Sequence, residues 1–221
     1  MMLSELTAQF VGLMNRGDLK NNTNLQTTFI NQAILRLQRE LRVPFMEKTI
    51  LYTVPSDGSF TGKLSIPADL LELIDILVDR DNDGICEYPL QKAGLKEVGT
   101  MSEPAYSGSA PIIYARKGGS WIMGPMPTGG SQIEISYYAE FAPLVNPTDV
   151  NTCSKVAWDA IVYGALSAAA DWFGDERAQQ FEGRYKQIAQ MLQEQADADE
   201  LTADAAVRPA YIWNDDLNDG M

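Results

Sequence analysis

The sequence predicts an α+β fold in which helices from both ends of the chain form a helical bundle and a central antiparallel β domain is inserted between them. Near both ends, apolar residues recur at three- and four-residue steps, the period of an amphipathic helix. In the middle the period shortens toward two, and turn signals rich in Gly and Pro interrupt it. We expect one helical domain from residues 1–45 and 153–206, a β domain from 46–152, and an extended C-terminal arm from 207–221.

Two amphipathic helices open the chain. Ser4 is a suitable N-cap for the first helix. The apolar face of this helix consists of Leu6, Phe10, Leu13 and Met14. The polar stretch 15–24 is expected to break the helix. The second helix has its apolar face at Phe29, Ile30, Ala33, Ile34, Leu37 and Leu41. Arg36 and Arg39 fall on its solvent side, and Pro44 ends it.

Short strands separated by turns follow. Strands are expected at 49–54, 60–66 and 73–78, and on both sides of the two-residue turn Gly118-Gly119. Ile133, Ile135 and Tyr137 alternate with polar residues, which predicts a half-buried strand. A short helical turn is expected over 67–71, and the connection 91–100 is expected to be partly helical. The spacing of the turn signals predicts five to seven strands in total.

The helix predicted over 156–173 is apolar on nearly every side and rich in small residues. Ala160, Gly164 and Ala168 recur at four-residue steps, so another helix or a sheet can approach this helix closely. A helix of this kind is buried, either inside the monomer or between subunits. We therefore name these three residues as candidate subunit-packing positions. Gly174 ends the helix, and Asp175 can cap the next one.

The last helix becomes acidic toward its end, and an arm follows it. The acidic positions are Asp197, Asp199, Glu200 and Asp204. Such a cluster is usually a solvated face, and the alternative is a negative surface that repels passing DNA. Beyond Pro209 the large apolar residues are Tyr211, Ile212, Trp213 and Leu217. Terminal aromatics either fold back on the body or anchor a partner protein, and the sequence favours neither.

Composition argues against an enzyme. The chain of 221 residues has no histidine, so the commonest general base and the commonest metal ligand are both missing. Its net charge of −13 argues against nucleic-acid binding by phosphate neutralisation and against attraction to an anionic membrane. Cys86 and Cys153 are far apart in sequence and form no CxxC unit, which disfavours a zinc site. We expect no cofactor and no catalytic residues. An acid hydrolase that uses two carboxylates is the enzymatic alternative, although no pair stands out.

One acidic segment partly matches a calcium-binding loop. Asp79, Asp81 and Asp83 alternate and are followed by Gly84, as in the first half of an EF-hand loop. The twelfth position, which should be a bidentate glutamate, is Leu90. We therefore expect a hairpin turn here, with the three aspartates as a weak candidate metal site.

The order of these signals resembles the head–tail adaptor, or connector, proteins of tailed bacteriophages over about residues 3–192. Three segments that carry the resemblance are LRLQRELRV at 35–43, LSIPADLLEL at 64–73 and ISYYA at 135–139, the last followed by a proline-bearing linker. The fourth is a helix pair with DAIVYGALSAAA at 159–170, DER at 175–177 and FEGRY at 181–185. The linker 146–154 lacks the Trp-Leu usual in the family, and the extension after Gln193 has no clear counterpart.

The resemblance implies a structural protein of the virion. Such adaptors form a ring, usually a dodecamer, beneath the portal protein, join the capsid to a tail or nozzle protein, and continue the channel through which DNA passes during packaging and ejection. It implies synthesis in the host cytoplasm, a location in the neck, and no membrane partner. The arm residues Tyr211, Ile212, Trp213 and Leu217 become candidate portal contacts, and the four acidic residues become candidate channel-facing groups. The alternatives are another neck or tail-completion protein, or a calcium- or carbohydrate-binding module.

Overall fold

The structure is a computed structural model that describes residues 1–81, 83–102 and 110–204, with side chains in the last helix as far as Ala198. The helices are α1 (Leu3–Met14), α2 (Gly17–Lys20), α3 (Thr23–Glu40), α4 (Leu95–Met101), α5 (Thr152–Val156), α6 (Trp158–Phe173) and α7 (Ala178–Asp204). The strands are β1 (Glu47–Thr53), β2 (Lys63–Ser65), β3 (Leu70–Val78), β4 (Tyr88–Pro89), β5 (Gln91–Lys92), β6 (Ile113–Lys117), β7 (Ser120–Gly124) and β8 (Gln132–Ala139). The predicted α+β class is confirmed.

Helices from both ends of the chain form one bundle. α6 packs against α1, α3 and α7, and the buried residues of these helices form a common hydrophobic core. The face predicted for α1 is largely confirmed, since Leu6, Phe10 and Met14 are fully buried, whereas Leu13 is exposed. Burial of these side chains provides most of the stability of such amphipathic helices, since short helices are marginal by themselves in water.

Two details of the helical bundle were not predicted from the periodicity, although the break between the first two helices was. The stretch 15–24 contains a turn of helix, α2, which buries Leu19 completely. The helix expected over 156–173 is divided at Ala157, whose φ of −118° and ψ of 39° separate α5 from α6. Asn151 is the N-cap of α5, and its side chain accepts a hydrogen bond from the Ser154 amide. A good N-cap at Asn151 thus starts a short helix before the predicted one.

The middle of the chain forms two packed sheets. One sheet has the strand order β1-β8-β3-β4 and the other has the order β2-β7-β6-β5. All strand pairs are antiparallel except β5 with β6, which is parallel. The alternation predicted for β8 is confirmed: Ile133, Ile135 and Tyr137 are buried between the sheets. On its other face, the second sheet packs against α4 through Val98, Ile113 and Ala115.

Several strand boundaries differ from the predicted ones. The helical turn expected over 67–71 is shorter: the Leu70 amide donates to the Pro67 carbonyl at 3.2 Å, and β3 begins at Leu70 because Leu70 pairs with Ala139 of β8. The connection 91–100 contains both β5 and α4. The described residues therefore contain eight strands rather than five to seven, three of them only two or three residues long. The turn between β6 and β7 is confirmed at Gly118-Gly119, and Gly118 has a positive φ of 63°.

Candidate assembly surfaces

The small residues of α6 allow close helix packing inside the chain itself. Ala160 and Gly164 are fully enclosed by the bundle. A Cβ atom built on Gly164 would lie 3.0 Å from the Cβ of Ala33 and 3.2 Å from the ring of Tyr185. α3 and α7 therefore occupy the face that could have met a neighbouring subunit. Contact with another subunit stays a prediction for Ala168, which is half-buried and lines a surface groove of about 410 Å³.

A polar seam runs where α3, α6 and α7 meet. The Arg36 guanidinium donates two hydrogen bonds of 2.8 Å to the Glu182 carboxylate and one of 2.8 Å to Glu40. The Ser167 hydroxyl donates to Glu182 at 2.8 Å, and the Tyr185 hydroxyl donates to Glu40 at 2.6 Å. The guanidinium also lies over the Tyr185 ring, 4.0 Å from its centroid. The seam thus ties three helices together through charge-assisted hydrogen bonds.

Two pKa values in the seam are shifted in opposite directions. The hydrogen bonds from Arg36, aided by Ser167, lower the pKa of Glu182 to about 2. Burial and the hydrogen bond to Glu40 raise the pKa of Tyr185. Glu182 is therefore ionised and Tyr185 is a neutral donor at neutral pH, which is the pairing that the geometry requires.

The sequence placed Arg36 on the solvent side of its helix, and this interpretation was incomplete. Only 33% of its side chain is accessible, and its main partner, Glu182, lies 146 positions away. The available signal was Glu182, which lies beside the apolar stripe of α7, three residues before Tyr185. A carboxylate beside a buried stripe requires a partner on the facing helix.

Side-chain amides clamp the linker between β8 and α5 onto the bundle. The Asn31 side chain accepts from the Leu144 amide at 2.9 Å and donates to the Leu144 carbonyl at 2.8 Å. Gln38 accepts from the Phe141 amide at 3.1 Å. Phe141 also stacks on Phe45, with ring centroids 6.0 Å apart. Both chain connections between the bundle and the sheets are therefore held by side chains.

Replacing Asn31 by Ala removes both of its hydrogen bonds to the linker. Because Leu144 is buried, its amide and carbonyl lose their partners away from water. We expect the free energy of unfolding to fall by about 1–2 kcal/mol, measured by urea denaturation. Gln32→Ala, on the exposed surface of the same helix, is the control and should change stability by no more than about 0.5 kcal/mol. Equal losses in the two variants would contradict a clamp at Asn31.

Large apolar side chains remain exposed on the bundle. Trp172 near the end of α6 is 71% exposed, Met191 on α7 is 61% exposed and Val156 at the end of α5 is 51% exposed. Trp158 is a further exposed aromatic residue at the start of α6. Exposed tryptophans of this kind are typical of residues that become buried in protein interfaces. The bundle therefore offers surface suited to assembly.

The three aspartates of the partial calcium motif lie in the loop between β3 and β4, an antiparallel pair. The two strands form a hairpin, as expected, joined by residues 79–87, and Asn82 of the expected turn lies outside the described residues. One carboxylate oxygen from each of Asp79, Asp81 and Asp83 lies within 4.8 Å of the others. Asp79 accepts a hydrogen bond from the Gly84 amide at 2.9 Å, and Asp83 accepts one from the Ile85 amide at 2.8 Å. These carboxylates shape the turn, and calcium binding by them stays a prediction.

Comparison with family models decides the class of protein. The model described as the SU10 adaptor protein matches residues 1–210. The chain belongs to the SU10 adaptor protein family. This is a phage head–tail adaptor family, so the resemblance seen in the sequence is confirmed. No curated protein matches the chain.

Family membership makes this SU10 adaptor a structural protein of a bacteriophage and implies contacts with other virion proteins. A structural adaptor family is typically non-enzymatic. Within residues 1–81, 83–102 and 110–204, none of the helices has the length and apolar character needed to cross a bilayer.

The remaining site residues of the SU10 adaptor lie at the C-terminal end. Asp197 is exposed on α7 and accepts a hydrogen bond from Gln193. The side chains of Asp199, Glu200 and Asp204 lie outside the described ones, although the helix backbone continues through them. Tyr211, Ile212, Trp213 and Leu217 lie outside the described residues. A channel-facing or portal-binding role for these residues stays a prediction.

Proposed function

We propose that this SU10 adaptor forms a ring below the portal, joins the capsid to the tail or nozzle, and continues the DNA channel. The family match over residues 1–210 is the observation that carries the proposal. The exposed tryptophans of the bundle support it, because a ring needs interfaces on both sides of each subunit. A dodecamer is the expected ring, located in the neck of the virion, with no catalytic activity.

The acidic end of α7 is proposed to face the channel. Asp197 is exposed there, and the helix continues as far as Asp204 with further acidic positions in its sequence. A net charge of −13 keeps the protein from binding the DNA backbone. Repulsion of like charges lets DNA pass without being held.

The arm is proposed to anchor the adaptor on the portal protein. It carries Tyr211, Ile212 and Trp213 beyond Pro209. Aromatic side chains supply most of the binding energy in many interfaces. The clamped linker supports the same function, because a rigid junction between the bundle and the sheets would transmit the position of the portal to the tail.

The mass of the complex with the portal protein of the same phage tests the proposal. We expect a stable complex with about twelve adaptors per portal ring and a loss of binding by at least about a hundredfold when residues after Arg208 are removed. The triple replacement of Tyr211, Ile212 and Trp213 by Ser is a milder variant that keeps the chain length. Leu51→Ser is the matched control for loss of an exposed apolar residue outside the arm and the bundle, since Leu51 on β1 is 57% exposed, and it should retain portal binding.

Two results would contradict the proposal. If the full chain does not associate with the portal protein, it does not act as an adaptor below the portal. If it then binds a tail protein and not the portal, a tail-completion role is indicated. If removal of the residues after Arg208 leaves portal binding unchanged, the arm does not contribute to that binding.

A further inference from the structure

An apolar groove lies on the bundle beside the C-terminal helix. It has a volume of about 200 Å³. It is lined by Val43, Pro44, Phe45, Val156, Leu192, Gln195 and Ala196. Val156 is 51% exposed at its edge, and Phe45 and Leu192 are only partly buried. The apolar surface of the groove is therefore exposed to water. A further apolar side chain that buried this surface would stabilise the folded chain.

The chain that follows α7 has the length to reach this groove. α7 continues for eight residues beyond Ala196 and ends at Asp204, which places its end about 12 Å from the groove along the helix axis. Seven further residues lead to Tyr211, and in extended form they span about 23 Å. A span of about 23 Å exceeds the distance of about 12 Å that separates Asp204 from the level of Ala196, so Tyr211 can reach the groove if the chain reverses direction directly after Asp204.

The chemistry of the arm matches that of the groove. Tyr211, Ile212 and Trp213 are consecutive large apolar residues, and Asp215 and Asp216 follow them closely. Lys155, the sequence neighbour of the groove residue Val156, is exposed and has no ion-pair partner within the described part of the chain. Gln195 supplies an exposed amide at the rim, suited to the Trp213 indole N–H or the Tyr211 hydroxyl.

We propose that, in the free chain, the aromatic triplet 211–213 docks in the groove of its own subunit. The arm then stays bound to the bundle until a binding site of higher affinity on another protein displaces it. This inference concerns the chain alone, so it does not depend on portal binding or on the ring.

Chymotryptic cleavage of the full-length chain tests this docking. Chymotrypsin cuts after Tyr211 and Trp213 when those bonds are accessible, and mass spectrometry gives the rate at each bond. In the free chain we expect both bonds to be cut at least about tenfold more slowly than in a synthetic peptide of residues 205–221, because cleavage requires the docked arm to open.

Two substitutions at exposed positions separate the groove from the rest of the surface. Val156→Glu places a charge at the groove edge and should accelerate cleavage of the arm about tenfold, toward the rate of the peptide. Met191→Glu changes an equally exposed apolar residue of α7 that does not line the groove, and should leave the rate unchanged. Thermal unfolding of both variants verifies that the bundle stays folded.

Three results would contradict docking of the arm within its own subunit. Cleavage of the full-length chain at the rate of the peptide would overturn the proposal, as would equal rates in the two variants. Protection that increases with protein concentration, together with a dimer mass, would overturn docking within one subunit and assign the groove to the arm of a second copy. Portal binding is measured separately, so the two proposals can fail independently.

Discussion

Gly164→Leu is expected to lower the free energy of unfolding by about 3 kcal/mol or more, because overpacking forces well-packed helices apart. Even a single added Cβ would lie 3.0 Å from Ala33 and 3.2 Å from Tyr185. A leucine side chain therefore has no room unless α3 or α7 moves. Urea denaturation monitored by circular dichroism measures the loss.

Gly183→Leu is the matched control on α7. An added Cβ at Gly183 meets nothing within 4 Å, and the residue is exposed. Leucine favours a helix over glycine, so this variant should gain about 0.5–1 kcal/mol. Gly164→Ala is the milder variant if Gly164→Leu fails to fold, with an expected loss of about 1 kcal/mol. A gain in stability for Gly164→Ala would show that α3 and α7 can move away from Gly164 at little cost in free energy. That result would contradict close packing at this position.

The periods of the sequence predicted the main helices and strands because each element buries one face. Phe29, Ile30 and Leu37 are buried on α3, and Ile133 and Ile135 are buried on β8, as the patterns indicated. The shortest strands and the exact strand boundaries could not be predicted from these periods. β5 has only two residues and thus no period, and Leu70 joins a strand because β8 lies beside it. Tertiary pairing, rather than local preference, decides such positions.

The candidate surfaces were predicted less completely than the fold. The small residues of α6 indicated close packing but not which partner approaches, and Gly164 meets Ala33 and Tyr185 of the same chain. The seam between Arg36 and Glu182, and the clamp from Asn31 to Leu144, each join residues more than 100 positions apart. A single sequence shows that such side chains are polar, but not which of them face each other.

Arg36→Met is expected to destabilise the fold by about 2 kcal/mol at pH 7, because Glu182 loses its two strongest hydrogen bonds. The effect should be smaller than for a fully buried pair, since 33% of the Arg36 side chain and 29% of the Glu182 side chain are accessible. Methionine keeps the unbranched stem that lies near Tyr185. Arg39→Met on the exposed face of α3 is the control, with an expected change within about 0.5 kcal/mol.

The pH dependence of stability isolates the same ion pair. The folded-state pKa of Glu182, about 2, lies below the ordinary value of 4.5. A lowered pKa means that the ionised carboxylate stabilises the fold, fully so above pH 4.5 and progressively less as the pH falls toward 2. Glu182→Gln removes this contribution. The stability difference between wild type and Glu182→Gln should therefore be largest at neutral pH and shrink across that acidic window. A difference that stays constant from pH 7 to pH 2.5, about the lower limit of a practical titration, would show that Glu182 acts through packing rather than through its charge.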